Sequence, residues 1–115
     1  MSIYRKKRGS HCVMAHQWRR NGDHPEDNCL VITPVPGDGE PFLSEGEVVR
    51  RYRSPKMDAE AMCEHCWNRM ENHGWIDSRG GQIVCVGDYV ITEDSENYHH
   101  RSAESFRFDY EMVIP

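Results

Sequence analysis

The chain has 115 residues, of which 37% are hydrophobic and 29% charged, and its formal net charge is −5. This length predicts one domain over residues 1–115 with a modest core, because short chains bury a smaller share of their surface than long ones. No apolar run is long enough to span a membrane, and no apolar signal sequence follows Met1. We therefore expect a soluble protein of a reducing cytoplasm, with no membrane partner.

Basic residues are concentrated near the N-terminus, and the rest of the chain is acidic. Arg5, Lys6, Lys7 and Arg8 form a basic cluster within a predicted N-terminal arm, residues 1–9. Such an arm is suited to contact nucleic acid or an acidic partner, and the alternative is a solvated flank of a strand. The acidic remainder argues against broad electrostatic binding of DNA, which needs a large basic surface.

The first half of the chain predicts short strands separated by turns. Residues alternate over His11–Trp18 as in a strand, with Cys12, Met14 and Trp18 on one face. Cys12 and Cys29 are expected to be small buried hydrophobes. Further strands are predicted at 30–33 and 47–52, and a flexible loop rich in proline, glycine and acidic residues at 34–47.

The second half predicts one helix and the clearest strands. Ser54-Pro55 suits a helix start, the residues from Met57 to Asn72 have apolar side chains at helical spacing, and Gly74 follows as a stop. Gly80-Gly81 between two β-rich segments indicates a hairpin. The remaining elements are a turn at 87–88, a strand at 89–92, a helical turn at 102–106 and a closing strand at 108–113. The predicted fold class is α+β: a small, mostly antiparallel sheet or partly open barrel with one helix, stapled by zinc.

The run Cys63-Glu64-His65-Cys66 indicates a metal site, because two cysteines separated by two residues can hold one metal. His73 and Cys85 would complete a Cys3His set, and His65 is a second candidate histidine. Zinc favours this tetrahedral shell, and closed four-ligand sites are usually structural. Five cysteines, an odd number, argue against a complete disulfide framework. The metal-free alternative is that the cysteines simply form part of a core face of the predicted helix.

A catalytic interpretation is also open. The tripeptide His24-Pro25-Glu26 precedes Cys63 and Cys66 in the order of zinc-dependent deaminases, in which one His and two Cys hold zinc and a Glu moves protons. Met62 stands where the deaminase pattern has proline, and a fourth protein ligand would leave no position for water. We therefore expect a protein that is not an enzyme, with the deaminase as the lesser alternative.

Several motifs of the second half occur together in one order. After the cysteine pair, the chain has His73-Gly74-Trp75-Ile76, then Gly80-Gly81-Gln82-Ile83-Val84-Cys85, then Gly87-Asp88-Tyr89-Val90. In these motifs and in Tyr4-Arg5-Lys6-Lys7 the chain resembles a group of small, mostly uncharacterised bacteriophage proteins of the PGDYI/PGDWI type. It departs from them at Val86, where the group has proline, and in residues 34–52, which have no counterpart.

The resemblance implies a phage origin and a zinc-stabilised β-rich domain, and it selects His73 over His65 and Cys85 as the last ligand. We expect a zinc-binding accessory protein of the host cytoplasm that acts without catalysis by binding a host protein, for host takeover or against a host defence. The alternative is a nucleotide or nucleic-acid binding module. The candidate binding residues are Arg5, Lys6, Lys7, Arg8, Trp18, Trp75, His99 and His100.

Overall fold

The computed structural model describes residues 2–33, 39–53, 58–94 and 97–115. Ten strands, β1 to β10, and one helix, α1, form in this part of the chain. In chain order they are β1 (Ser2–Lys6), β2 (Cys12–Gln17), β3 (Val31–Ile32), β4 (Phe42–Leu43), β5 (Arg50–Arg51), β6 (Gly74–Ile76), β7 (Gln82–Val84), β8 (Tyr89–Asp94), β9 (Asn97–Arg101), α1 (Ala103–Asp109) and β10 (Tyr110–Ile114). Two short 3-10 turns occupy Met70–Asn72 and Ser78–Gly80. The predicted α+β class is confirmed: the strands are antiparallel, there is one helix in the described ranges, and the sheets do not close into a barrel.

The largest sheet has five strands in the order β10-β1-β2-β8-β9. Its core face carries an aromatic cluster that α1 completes, because Phe106 of the helix stacks on Tyr89 at 4.2 Å and on Tyr110 at 4.7 Å between ring centroids. Tyr4 meets the Phe106 ring edge-on at 4.8 Å. Stacked and edge-to-face pairs are both favourable ring geometries, so this cluster holds the helix to the sheet.

A second core lies beside a three-stranded sheet of β5, β6 and β7. It consists of Trp18, Val49, Ile76, Val84 and Val90. Successive side chains of a strand point to opposite faces, and β8 accordingly sends Ile91 into the aromatic cluster and Val90 into this second core. Strand β8 therefore connects the two halves of the molecule.

The third sheet is a two-stranded ribbon of β3 and β4, and its residues belong to neither core. Its side chains Val31, Ile32, Phe42 and Leu43 are exposed, as is the neighbouring Leu30. Strand β4 lies inside the predicted 34–47 loop, so that part of the loop is ordered as a strand. Residues 34–38 of the predicted loop lie outside the described residues.

The predicted helix from Met57 to Asn72 is wrong for the part that the structure describes. Residues 58–69 form turns and a single bridge between Met62 and Arg69, and Met70–Asn72 is one 3-10 turn. The proposed helix start at Ser54-Pro55 lies outside the described residues. The helix of this fold is α1, where the sequence predicts a helical turn.

The predicted face of β2 is also wrong. Val13 and Ala15 are buried in the aromatic cluster, whereas Cys12 and Met14 are exposed. Trp18 follows the end of the strand, where it packs into the second core instead. Cys12 is therefore not a buried hydrophobe, and Cys29 is only half-buried.

The predicted N-terminal arm is in large part a strand. Ser2–Lys6 lie between β10 and β2 in the five-stranded sheet, so residues 2–6 belong to the fold, with exposed basic side chains at their end. This matches the alternative of a solvated strand flank. Within the described ranges, no helix is long and apolar enough to cross a membrane.

Candidate metal centre

Cys63 and Cys66 lie in a tight turn that aims both thiols to one side. The amide of Trp67 donates to the carbonyl of Cys63 at 2.9 Å, and the amide of Cys63 donates to the carbonyl of Asn68 at 2.9 Å. The amide of His65 points at the sulfur of Cys63, 3.4 Å away. The backbone of this turn thus aims a donor at the sulfur of Cys63 and fixes its position.

His73 reaches the same place from the 3-10 turn. The amide of Met70 donates to the carbonyl of Ala61 at 2.8 Å, which ties this turn back to the start of the cysteine segment. The Nδ1 atom of His73 lies 3.0 Å from the carbonyl oxygen of Arg69. Because a carbonyl only accepts, Nδ1 carries the proton and Nε2 has the free lone pair, as a metal-binding histidine requires. Nε2 lies 3.2 Å from the sulfur of Cys66.

Cys85 brings the fourth ligand atom from the end of β7. Its sulfur is 3.8 Å from the sulfur of Cys63. The backbone amide of Cys85 donates to the carboxylate of Asp88 at 3.0 Å, and the ring of His100 donates to the same oxygen at 2.9 Å. Asp88 is buried, so this carboxylate is held by both neighbours and fixes the turn that carries Cys85.

The four ligand atoms of Cys63, Cys66, His73 and Cys85 all lie within 4.8 Å of one another. Cys63 and His73 are buried, and Cys66 and Cys85 are partly exposed. All five cysteines of the chain lie in the described ranges as free thiols. Three sulfurs and one imidazole converging on one point are compatible with the binding of a metal ion.

The two partly exposed thiols differ in acidity. Burial and the nearby charge of Asp88 raise the pKa of Cys85 well above its ordinary value. Burial also opposes ionisation of Cys66, but the hydrogen bonds from the side chain and backbone of Asn68 outweigh it, so the pKa of this thiol is lowered. A cysteine that binds a metal does so as a thiolate, so the binding of a cation here would release protons from thiols such as Cys85.

His24 and Glu26, which the catalytic interpretation adds to Cys63 and Cys66, interact with other residues. Ring atom Nδ1 of His24 accepts a hydrogen bond from the amide of Glu26 at 3.1 Å, and the ring lies edge-on to Tyr98. The hydroxyl of Tyr98 donates to the carboxylate of Glu26 at 2.5 Å. His24 and Glu26 both lie outside the four-ligand cluster. His65, the second candidate histidine, is exposed and also lies outside it.

The other predicted binding residues are scattered over the molecule. Trp18 is 2% exposed, so the prediction that it stacks on bases is wrong. Trp75 is half-buried and its indole N–H donates to Asp77 at 2.9 Å. Arg5 forms an ion pair with Glu111 at 2.7 Å. The two adjacent histidines of β9 bind different carboxylates, since His99 lies 3.7 Å from Glu93 and His100 contacts Asp88.

Sequence reasoning missed an arginine-lined depression next to the metal centre. It has a volume of about 540 Å³, and Arg19, Arg20, Arg50 and Arg51 line it together with His73. The two Arg-Arg pairs are visible in the sequence, but they are thirty residues apart and nothing there brings them together. Trp67, which is 71% exposed, was missed as well.

Comparison of the chain with protein-family models, with curated proteins and with solved structures found no match. The class that the fold and the site define is a small α+β protein of mostly antiparallel strands, with a Cys3His cluster that could hold a metal.

Proposed function

We propose that this chain is a phage-encoded, zinc-binding accessory protein that acts without catalysis by binding a host protein. The observation that supports the proposal is the ligand set, in which the chain itself supplies four potential ligand atoms that lie within 4.8 Å of one another. Catalytic zinc sites keep one position open for water or substrate, whereas structural sites are closed.

The donor set fits zinc. Two sulfurs bound to one tetrahedral zinc, each about 2.3 Å from the metal, lie about 3.8 Å apart. The sulfurs of Cys63 and Cys85 are 3.8 Å apart. Thiolate and imidazole ligands are the ones that zinc prefers, and His73 has the outer hydrogen bond that orients such a ligand. When bound, zinc would cross-link the cysteine turn to the end of β7.

An exposed apolar surface supports a role in protein binding. On the β3–β4 ribbon and beside it, Val31, Ile32, Phe42 and Leu43 are exposed, and Leu30 is 74% exposed. Clustered apolar side chains on a surface mark interaction sites more often than scattered ones do. The phage origin and the host partner rest on the sequence resemblance in the second half of the chain.

Metal content tests the zinc assignment. The purified protein should carry one equivalent of zinc. Cys63→Ser and Cys85→Ser should each lose it and lower the thermal midpoint by about 10 °C or more. Cys12→Ser is the matched control, because Cys12 is exposed and outside the cluster. Retention of one equivalent of zinc by both cluster variants would overturn the assignment.

Partner capture tests the binding role. The tagged protein is incubated with nuclease-treated host lysate, the retained protein is identified, and its affinity is then measured with the purified pair. The double variant Phe42→Ser/Leu43→Ser should weaken that affinity tenfold or more, because central apolar contacts dominate interfaces. Met112→Ser, another exposed apolar side chain on β10, is the control and should retain it. Equal affinity for all three proteins would exclude the ribbon as the binding surface.

A further inference from the structure

The arginine-lined depression is basic although the chain as a whole is acidic. Four arginines line it, and among the described residues that form its wall Glu71 is the one carboxylate. The formal net charge of the whole chain is −5. The volume of the depression, about 540 Å³, lies within the range of small-ligand sites. A basic concave surface on an acidic protein attracts an anionic ligand to one place.

Half of this positive charge is not neutralised by close carboxylates. The guanidinium of Arg19 donates to the neutral side chain of Gln17 at 3.3 Å, and that of Arg51 donates to the carbonyl of Leu43 at 3.0 Å. Arg20 is 87% exposed and forms an ion pair with Asp23 at 3.7 Å. Arg50 contacts both Asp77 and Glu45. The guanidinium groups of Arg19 and Arg51 are therefore disposed to bind an anion.

The backbone holds the two arginine pairs in place. The carboxylate of Asp23 accepts hydrogen bonds from the amides of Arg19 and Arg20 at 3.0 and 3.2 Å, which fixes the first pair in a turn. The second pair is strand β5, in register with Gly74 and Trp75 of β6. Because the backbone of both arginine pairs is already ordered, ligand binding costs less conformational entropy of the protein.

Trp67 is a second observation. It does not itself line the depression, but it is the chain neighbour of Asn68, which does, and its ring is 71% exposed. Its φ is +60°, a conformation that is strained for a bulky side chain and natural for glycine. An exposed ring adds little to the stability of the fold, so a tryptophan in this strained and exposed position points to a function for its surface.

We propose that the arginine-lined depression binds the backbone of a single-stranded nucleic acid and that a base stacks on Trp67. Arginine forms two parallel hydrogen bonds with a phosphate, and stacking on an exposed aromatic ring is how proteins hold an unpaired base without selecting its identity. This site goes beyond the binding of a host protein through the β3–β4 ribbon, and either proposal can fail without the other.

The basic cluster at the N-terminal strand is the competing location. A second depression, of about 380 Å³, is lined by Lys6, Lys7, Arg8 and the exposed Phe108. Asp109 also lines it, so its net charge is lower, and Phe108 lies in helix α1 without a positive φ. The arginine-lined depression therefore has the stronger case, and the Lys6/Lys7 pair supplies a matched control.

Fluorescence anisotropy with labelled twelve-nucleotide oligothymidylate and oligouridylate tests the proposal on the full chain, with its metal content measured. Affinity should fall as salt rises, by a slope of about 0.7 for each phosphate contact on a logarithmic plot. Arg19→Gln/Arg20→Gln should weaken binding tenfold or more and make the slope shallower. Lys6→Gln/Lys7→Gln should change affinity by less than about threefold. The two oligonucleotides distinguish DNA from RNA as the preferred strand.

Trp67→Gly separates a binding role from a structural one. Glycine adopts φ +60° without strain, so the variant should keep its metal and its thermal midpoint. Its affinity should fall tenfold or more at every salt concentration, with an unchanged slope, because stacking releases no counterions. Three outcomes would overturn the proposal: no binding at 50 mM salt, full affinity in Trp67→Gly, or an equal loss in the Lys6/Lys7 control.

Discussion

The buried ring of His24 should make the stability of the protein depend on pH. Burial lowers the pKa of His24 below its ordinary value, although Asp27 and Glu26 act in the opposite direction. The fold therefore prefers the neutral ring. The resulting stabilisation is complete above the unfolded-state pKa of about 6.5 and is lost as the pH falls below that value towards the lower folded-state pKa.

Urea unfolding at pH 7.5 and pH 5.5 measures this effect. The wild-type protein should lose more free energy of unfolding between the two pH values than His24→Gln, whose side chain does not titrate. Loss of metal in acid acts on both proteins, so the difference between them isolates His24. An NMR titration of the His24 ring should show a midpoint below 6.5. Equal losses in the two proteins, or a midpoint above 6.5, would refute the role assigned to this ring.

For single residues, the sequence predicts the candidate metal ligands but not the neighbouring groups that orient these ligands. The spacing of Cys63, Cys66, His73 and Cys85 is visible in the sequence, and the structure brings these four together. Asp88 fixes the turn that carries Cys85, because its carboxylate accepts hydrogen bonds from the amide of Cys85 and from the ring of His100. His100 reaches Asp88 through the pairing of β9 with β8, which no local sequence pattern encodes. The φ of Trp67 was equally hidden, because tryptophan is a poor indicator of a left-handed residue.

Helix α1 begins at a capping residue whose removal has a defined cost. The hydroxyl of Ser102 accepts a hydrogen bond from the amide of Ser105 at 3.2 Å. Ser102→Ala should lower the free energy of unfolding by about 1 kcal/mol. Ser102→Asp keeps an acceptor at the same place and should retain most of the stability. Chemical denaturation compares the three proteins, and an aspartate variant as unstable as the alanine variant would show that capping is not the cause.

The elements that sequence predicts correctly are those whose signal is local. The hairpin of β6 and β7 follows from a glycine-containing turn between β-rich segments, and β8 from a run of β-branched residues. The prediction of a helix from Met57 to Asn72 is wrong for a physical reason. The candidate ligands Cys63, Cys66 and His73 recur at intervals of three and seven residues, and such intervals also place side chains on one face of a helix.

At the scale of the whole molecule, the two halves depend on different forces. The five-stranded sheet and α1 bury a continuous aromatic cluster, in which Phe106 is 1% exposed. Residues 58–73 bury very little besides Cys63, Met70 and His73, and two of these three belong to the Cys3His cluster that could hold a metal. Burial of apolar surface is the main favourable term in folding. The cysteine segment therefore has little apolar burial to hold it and would gain most from a bound metal, whereas the sheet has its own core.

Removal of the metal should accordingly loosen one half before the other. After treatment with a strong chelator, hydrogen–deuterium exchange should rise tenfold or more in peptides covering residues 58–76, because opening of this segment then exposes few apolar groups. Peptides from β2 and β8 should keep most of their protection, since Val13, Ala15 and Ile91 remain in the aromatic cluster. Re-addition of zinc should restore the slow exchange. Equal loss of protection in all peptides would show instead that both cores unfold together when the metal leaves, with β8 transmitting the change from one to the other.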